Sequence, residues 1–194
     1  PDHPVFGSFN HTRKLTDACI ARFAAVLHAN PSAILLFRSH SFYDQAVRRW
    51  FLRQFVQAGA AAHQLQPIPY APSPEDSLRD YCRTHLHLDS YPVCGTTTTL
   101  DALAMGVPVL TCPNHLYAGA ISAALIEQAG FGDWVVEDPH QLPLKAAELA
   151  ATYRTAAARR DLAAQIRRSP VCDTTAVPAM VADQLAAMLR AANL

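Results

Sequence analysis

The sequence is short of charge. Asp, Glu, Lys and Arg make up 16% of its 194 residues, and 16 basic side chains balance 16 acidic ones to a net charge of +0. Soluble domains average about 25% charged residues, so apolar surface is expected here, with a partner or a further lobe against it. Without a basic excess or a basic run, the electrostatic case for nucleic-acid binding falls away. Also lacking is any run of about 18 uncharged apolar residues, the length a membrane-spanning helix needs. The nearest approach, Val93 to Cys112, is interrupted by Asp101, Gly106, Pro108 and a threonine run. No basic segment leading an apolar one opens the chain, so no signal peptide is expected. The opening Pro1, in place of Met, suggests an excised or processed piece.

Other absences narrow the chemistry. The five cysteines (Cys19, Cys82, Cys94, Cys112 and Cys172) are odd in number and show no CxxC spacing. Reduced thiols in a cytoplasmic protein fit this better than a disulfide frame or a zinc site. The nine histidines are scattered, with only His85 and His87 alternating on one expected strand, so no metal site is expected. Gly7 stands alone within the first apolar run and no GxGxxG fingerprint for a dinucleotide follows it. Neither a GxxxxGK[ST] phosphate loop nor a GxSxG nucleophile elbow occurs.

What is present is 51% hydrophobic residues in a regular alternation, enough to bury a sizeable core. Short apolar runs at Val5–Phe9, Ala33–Phe37, Leu65–Ile68, Leu86–Leu88, Val107–Leu110 and Trp134–Val136 read as six strands. Helical periods separate them. Thr16 caps a helix with Ile20, Phe23, Ala24 and Leu27 on one face; a second runs from Ser41 to Ala58; Ser73 and Pro74 start a third that runs to about Arg83. Further helices are expected from the threonine run to Gly106, over Ala118 to Ala129, over Pro139 to about Arg168, and over Val177 to Ala192. Strands alternating with helices of about a dozen residues make βαβ units. The expected fold is α/β: one doubly wound, Rossmann-like domain over residues 1–194 with a parallel sheet in the order 3-2-1-4-5-6.

In such a sheet a ligand sits at the carboxyl ends of the strands where the order reverses, here between strands one and four. Both loops at that point are unusual. After strand one comes Asn10-His11-Thr12-Arg13-Lys14, with two adjacent cations; after strand four comes Gly95-Thr96-Thr97-Thr98-Thr99-Leu100-Asp101 at a helix start. Helix-start amides and the positive dipole end bind phosphate, and Asp101, one turn in, suits a ribose hydroxyl. Taken singly, the threonines are an ordinary N-cap, Asp101 a first-turn acid and Arg13-Lys14 a solvated pair. Together, at one switch point, they make a site for a nucleotide diphosphate.

Four segments, Phe6-Gly7-Ser8-Phe9-Asn10-His11-Thr12-Arg13-Lys14-Leu15, Leu88-Asp89-Ser90-Tyr91-Pro92, Gly95-Thr96-Thr97-Thr98-Thr99-Leu100-Asp101-Ala102-Leu103 and Gly106-Val107-Pro108-Val109-Leu110-Thr111, resemble the C-terminal half of the O-linked N-acetylglucosamine transferase family. That family includes the plant SPINDLY proteins and bacterial relatives with tetratricopeptide repeats. The resemblance runs in order over about Val5–Ala129 and more loosely to the end. It implies one lobe of a GT-B type, inverting glycosyltransferase that moves a sugar, N-acetylglucosamine, from a UDP-sugar to a protein hydroxyl. It further implies an N-terminal lobe, and any repeats, in sequence outside this chain. By position, Lys14 matches the lysine on the donor diphosphate, the group that serves catalysis. Thr97 and Thr98 match the phosphate-binding helix start, Asp101 the ribose carboxylate, and Tyr70-Ala71-Pro72 the segment facing uracil. Asn10, His11, Gly95 and Thr96 complete the expected donor-binding set. No metal or other cofactor is implied, and no DxD-like cluster is present. The chain departs from the family pattern at Thr96, where a histidine is usual, at Ser73 (or Pro74, with one residue inserted), where a lysine is usual, at His11, where a glutamine is frequent, and at Asn114–Ile121, which lacks the usual arginine. Those departures leave a second reading, a non-catalytic nucleotide-binding or interaction module. A nucleotide-sugar epimerase fits less well, because its catalytic carboxylates have no match.

Overall fold

A computed structural model, which describes residues 3–175 and 177–192, resolves the alternation into a five-stranded sheet. The strands are β1 (Val5–Ser8), β2 (Ile34–Arg38), β3 (Leu65–Ile68), β4 (Leu86–Leu88) and β5 (Val109–Leu110). All pairs are parallel and the order is β3-β2-β1-β4-β5. The helices are α1 (Asp17–Ala29), α2 (Gln45–Gln57), α3 (Pro74–Cys82), α4 (Thr97–Ala104), α5 (Tyr117–Gln128), α6 (Leu142–Thr152), α7 (Ala156–Arg168) and α8 (Val177–Ala191). The uninterrupted run in β2 has its reason here. Leu35, Leu36 and Phe37 are all buried, as a strand covered on both faces requires.

Right-handed crossovers place the helices. From β1 outward to β3 the chain steps one way, so α1 and α2 share a face; after β3 it returns across the sheet to β4, so that α4, α5 and α7 cover the other face while α6 crosses back beside α1. In keeping with this, α1 packs on α2 and α6, while α4 packs on α5 and α7. The reversal lies between β1 and β4, as expected. Expected caps also form: Thr16 Oγ1 accepts from the Cys19 amide at 3.2 Å, and Ser73 Oγ from Asp76 at 3.1 Å. Gly106, at φ 68, ends α4 in the left-handed region and lies against the Arg159 carbonyl.

Three expectations are corrected. The segment Trp134–Val136 is not a sixth strand. Its approach to the sheet edge is one bridge between Thr111 and Val135, because a 3-10 turn over Gly132–Trp134 bends the chain and buries the Trp134 ring against Phe131 and Tyr153. The helix expected over Pro139 to Arg168 is three pieces: a turn at Pro139–Gln141, then α6, then α7. The last break falls where the Thr155 side chain accepts from the Ala158 amide at 3.1 Å and so starts a new helix. The helix expected from Ser41 begins with a 3-10 turn over His40–Tyr43, after which the Asp44 carboxylate caps α2 through the amides of Ala46 and Val47.

Candidate functional site

The two loops at the switch point meet. The Asn10–Lys14 loop leaves β1 and tightens into a 3-10 turn over Thr12–Lys14, in which His11 Nδ1 accepts from the Arg13 amide at 3.1 Å. Thr12 Oγ1 lies 2.9 Å from Ser41 Oγ, which ties the turn to the segment after β2. Lys14 reaches across to the second loop and its Nζ donates to the Cys94 carbonyl at 2.6 Å. Asn10 crosses in the same direction, its Oδ1 accepting from Thr98 Oγ1 at 3.0 Å. The Asn10 amide nitrogen is buried without a hydrogen-bond partner. That arrangement offers a donor where buried donors are normally satisfied.

The second loop is held rigidly from beneath. Asp89, at the end of β4, is buried; its Oδ1 accepts from the amides of Ser90 (2.9 Å) and Gly95 (2.7 Å), and its Oδ2 from Thr111 Oγ1 (2.8 Å). Burial pushes its carboxyl above the ordinary carboxylate range, and those donors pull the other way. Ser122 on α5 adds a brace by donating to the Gly95 carbonyl at 2.9 Å, with Thr99 Oγ1 2.8 Å away. Gly95 is required by close approach. A Cβ there would lie 2.6 Å from the hydroxyls of both Thr98 and Thr99.

The start of α4 carries no side-chain cap. Its first amides therefore lack the partner that Thr16, Asp44, Ser73 and Thr155 supply to other helices. Around it, His11, Thr96 and Thr97 are exposed and Lys14, Thr98 and Asp101 are half-buried, so the groups form an open shelf. Asp101 faces Arg38 electrostatically: burial raises its carboxyl pKa, and the arginine lowers it. Ala71 and Pro72 follow β3 on the neighbouring rim, where the Tyr70 carbonyl accepts from Tyr43 Oη at 2.7 Å. The structure thus gathers Asn10, Lys14, Gly95, Thr96, Thr97, Thr98 and Asp101 at one point. Ala71 and Pro72 flank it, and His11 acts locally as a turn former.

Arg38 and Tyr81 were not among the expected residues. Arg38, buried at the end of β2, donates from Nη1 to Asp80 Oδ2 and to the Ser77 carbonyl, each at 2.7 Å. Its guanidinium lies over the Phe9 ring at 4.6 Å and near the Tyr70 ring at 5.3 Å. Tyr81 Oη donates to the Thr98 carbonyl at 3.2 Å and is within electrostatic reach of Asp101, Arg38 and Tyr70. Arginine at the polar end of an apolar strand was the one available signal, and it does not show what that arginine meets 42 residues away.

No family model matches the chain. Over 170 residues it is 30% identical to the probable UDP-N-acetylglucosamine–peptide N-acetylglucosaminyltransferase SPINDLY of Oryza sativa subsp. japonica, covering 87% of this chain and 18% of that protein. The protein of the same name from Arabidopsis thaliana is 30% identical over 173 residues, covering 87% and 19%. The chain thus spans about a fifth of the length of these curated relatives. Among solved structures, a mutant O-GlcNAc transferase of Thermobaculum terrenum is similar with a TM-score of 0.77 at 28% identity, over 87% of this chain and 32% of that one. Anabaena HepE in complex with UDP-glucose is similar in fold, with a TM-score of 0.60 at 16% identity over 96% and 49%. The chain is a relative of the SPINDLY and O-linked N-acetylglucosamine transferases, matching one segment of them, and its fold is that of a GT-B glycosyltransferase lobe.

Proposed function

We propose that residues 1–194 are the donor-binding lobe of an inverting glycosyltransferase that moves N-acetylglucosamine from a UDP-sugar to a protein hydroxyl, with the acceptor lobe supplied by sequence outside this chain. The observation that carries this reading is the pair of cross-loop bonds, Asn10 to Thr98 and Lys14 to Cys94. They hold a cation beside an uncapped helix start at the sheet's reversal point. The names of the relatives, probable UDP-N-acetylglucosamine–peptide N-acetylglucosaminyltransferases, support this choice of donor and acceptor.

Within this reading the lobe works by charge. As the sugar leaves, negative charge grows on the diphosphate. The Lys14 ammonium has one donor on the Cys94 carbonyl and two more free to turn toward that charge. The first amides of α4 and the positive end of its dipole meet the same group. Groups fixed before the reaction need no reorganisation during it, which is the source of electrostatic catalysis. Asp101, one helical turn further on, accepts from the ribose hydroxyls, and the Ala71-Pro72 backbone faces the base. UDP titrated into the isotope-labelled chain is expected to shift the amides of Thr97 and Thr98 first, with weak affinity in the absence of a second lobe. Shifts confined to other regions overturn the assignment of the site. No binding at all favours the non-catalytic module, to which the threonine at position 96 also points.

A further inference from the structure

The opposite end of the sheet carries a second feature. Between α7 and the C-terminal ends of α3 and α4 lies a groove of about 390 Å³, lined along α7 by Ala156, Arg159, Arg160, Ala163 and Arg167 and floored beside them by Met105. Three guanidinium groups and no acidic side chain line it, in a chain with no net charge. Arg159 is already committed. Its Nη1 donates to the carbonyls of Cys82 (2.8 Å) and Thr84 (2.9 Å), which satisfies the end of α3. Arg160 and Arg167 are exposed, and neither takes part in a hydrogen bond or ion pair among the described residues. The helix ends would hold one cation here. They do not account for two more.

We infer that this groove binds an acidic peptide segment carrying apolar residues between its carboxylates. Arg160 and Arg167 are seven residues apart on one helix, so their stems are separated by about 10 Å along its axis. A peptide in the polyproline II conformation, with three residues per turn and a rise of about 3.1 Å, puts residues three apart on one face at about that distance, which sets the spacing of the two carboxylates that the forks accept bidentately. Ala156, Ala163 and Met105 take the apolar side chain that falls between. The groove lies about one helix length of α4 from the donor shelf, so the two sites are independent.

The test uses a fluorescein-labelled peptide of repeating Glu-Leu-Ser, read by fluorescence anisotropy on the intact chain. Binding is expected to weaken with added salt and to fall at least tenfold in the double variant Arg160→Glu, Arg167→Glu. Replacing Leu by Ala in the peptide is expected to weaken it several-fold, and a Lys-Leu-Ser repeat is expected not to bind. Both arginines are exposed, so the variant should keep its melting temperature and its UDP-induced amide shifts, which verifies that it is folded. Absence of peptide binding, or equal binding by the double variant, overturns the inference. So does displacement of the peptide by inorganic phosphate at matched concentration, which marks a simple anion site. Arginine-dependent capture of the chain on anionic vesicles without peptide binding assigns the groove to a lipid surface instead.

Discussion

Lys14 and Asp101 make separable contributions. Lys14→Ala removes a charge directed at phosphate, so UDP binding is expected to weaken by about 1.5–3 kcal/mol while uridine binding changes little. Calorimetry with both ligands checks this, and equal losses for the two would make Lys14 structural, serving the Cys94 carbonyl alone. Asp101→Asn keeps the shape but removes the charge and half of the acceptor capacity. UDP affinity is expected to fall by about 1–2 kcal/mol with the melting temperature unchanged. A purely helical role predicts the reverse, a loss of a few tenths of a kcal/mol in stability and intact affinity. Gly95 belongs at the same scale. Gly95→Ala drives a methyl into the Thr98 and Thr99 hydroxyls and beside Asp89 Oδ1 at 3.1 Å, for an expected destabilisation of about 1–3 kcal/mol, read as a shift in urea midpoint. UDP affinity should fall with it, because the displaced loop carries both the Lys14 acceptor and the start of α4.

Among the elements, those whose pattern is set by burial were legible. The run Leu35–Phe37 announces a strand buried on both faces, and the spacing of Ile20, Phe23, Ala24 and Leu27 announces the core face of α1; all of these are buried. Elements fixed by one local bond were not. The break between α6 and α7 hangs on the Thr155 hydroxyl, in an alanine-rich stretch whose helical propensity runs straight through it. Trp134–Val136 has strand composition, but the sheet offers it one bridging residue, and its large ring goes to the core instead. The shelf divides in the same way. Its backbone-bearing parts, the turn at Lys14 and the start of α4, show in sequence as polar loops between apolar runs. Arg38 and Tyr81 do not, and Asp89 shows only as a motif residue without its role, because what they do depends on partners brought to them by the sheet: Asp80, the Thr98 carbonyl and Thr111.

Across the whole molecule, buried histidines govern the response to acid. His85 accepts from the Val5 amide through Nδ1, and burial followed by nearby arginine charge lowers its pKa to about 4. His87, between Phe9 and Tyr81 with both ring nitrogens unpartnered, is lowered by burial, then by Arg38, to about 3. Unfolded, both titrate near 6.5. From pH 6.5 down to 3–4 the unfolded chain therefore binds protons that the folded chain refuses, and stability falls as pH falls. Asp89, raised in the fold, opposes this by taking up its proton early. The melting temperature should therefore fall between pH 7 and pH 4. His87→Leu should flatten that decline without loss of stability at pH 7, since it sacrifices no hydrogen bond; an unchanged slope would point to other groups. The crossing from β1 to β4 also bears on time. The two contacts that join the loops of the shelf, Asn10 with Thr98 and Lys14 with Cys94, link positions 80 or more apart, and chain closure over that span is among the slower steps of folding. The β1–β2 and β2–β3 pairings close shorter stretches of chain than β1–β4 does, so they are expected to form first. Nucleotide affinity should then appear last, in step with the final phase of refolding, and serve as a clock for completion of the sheet.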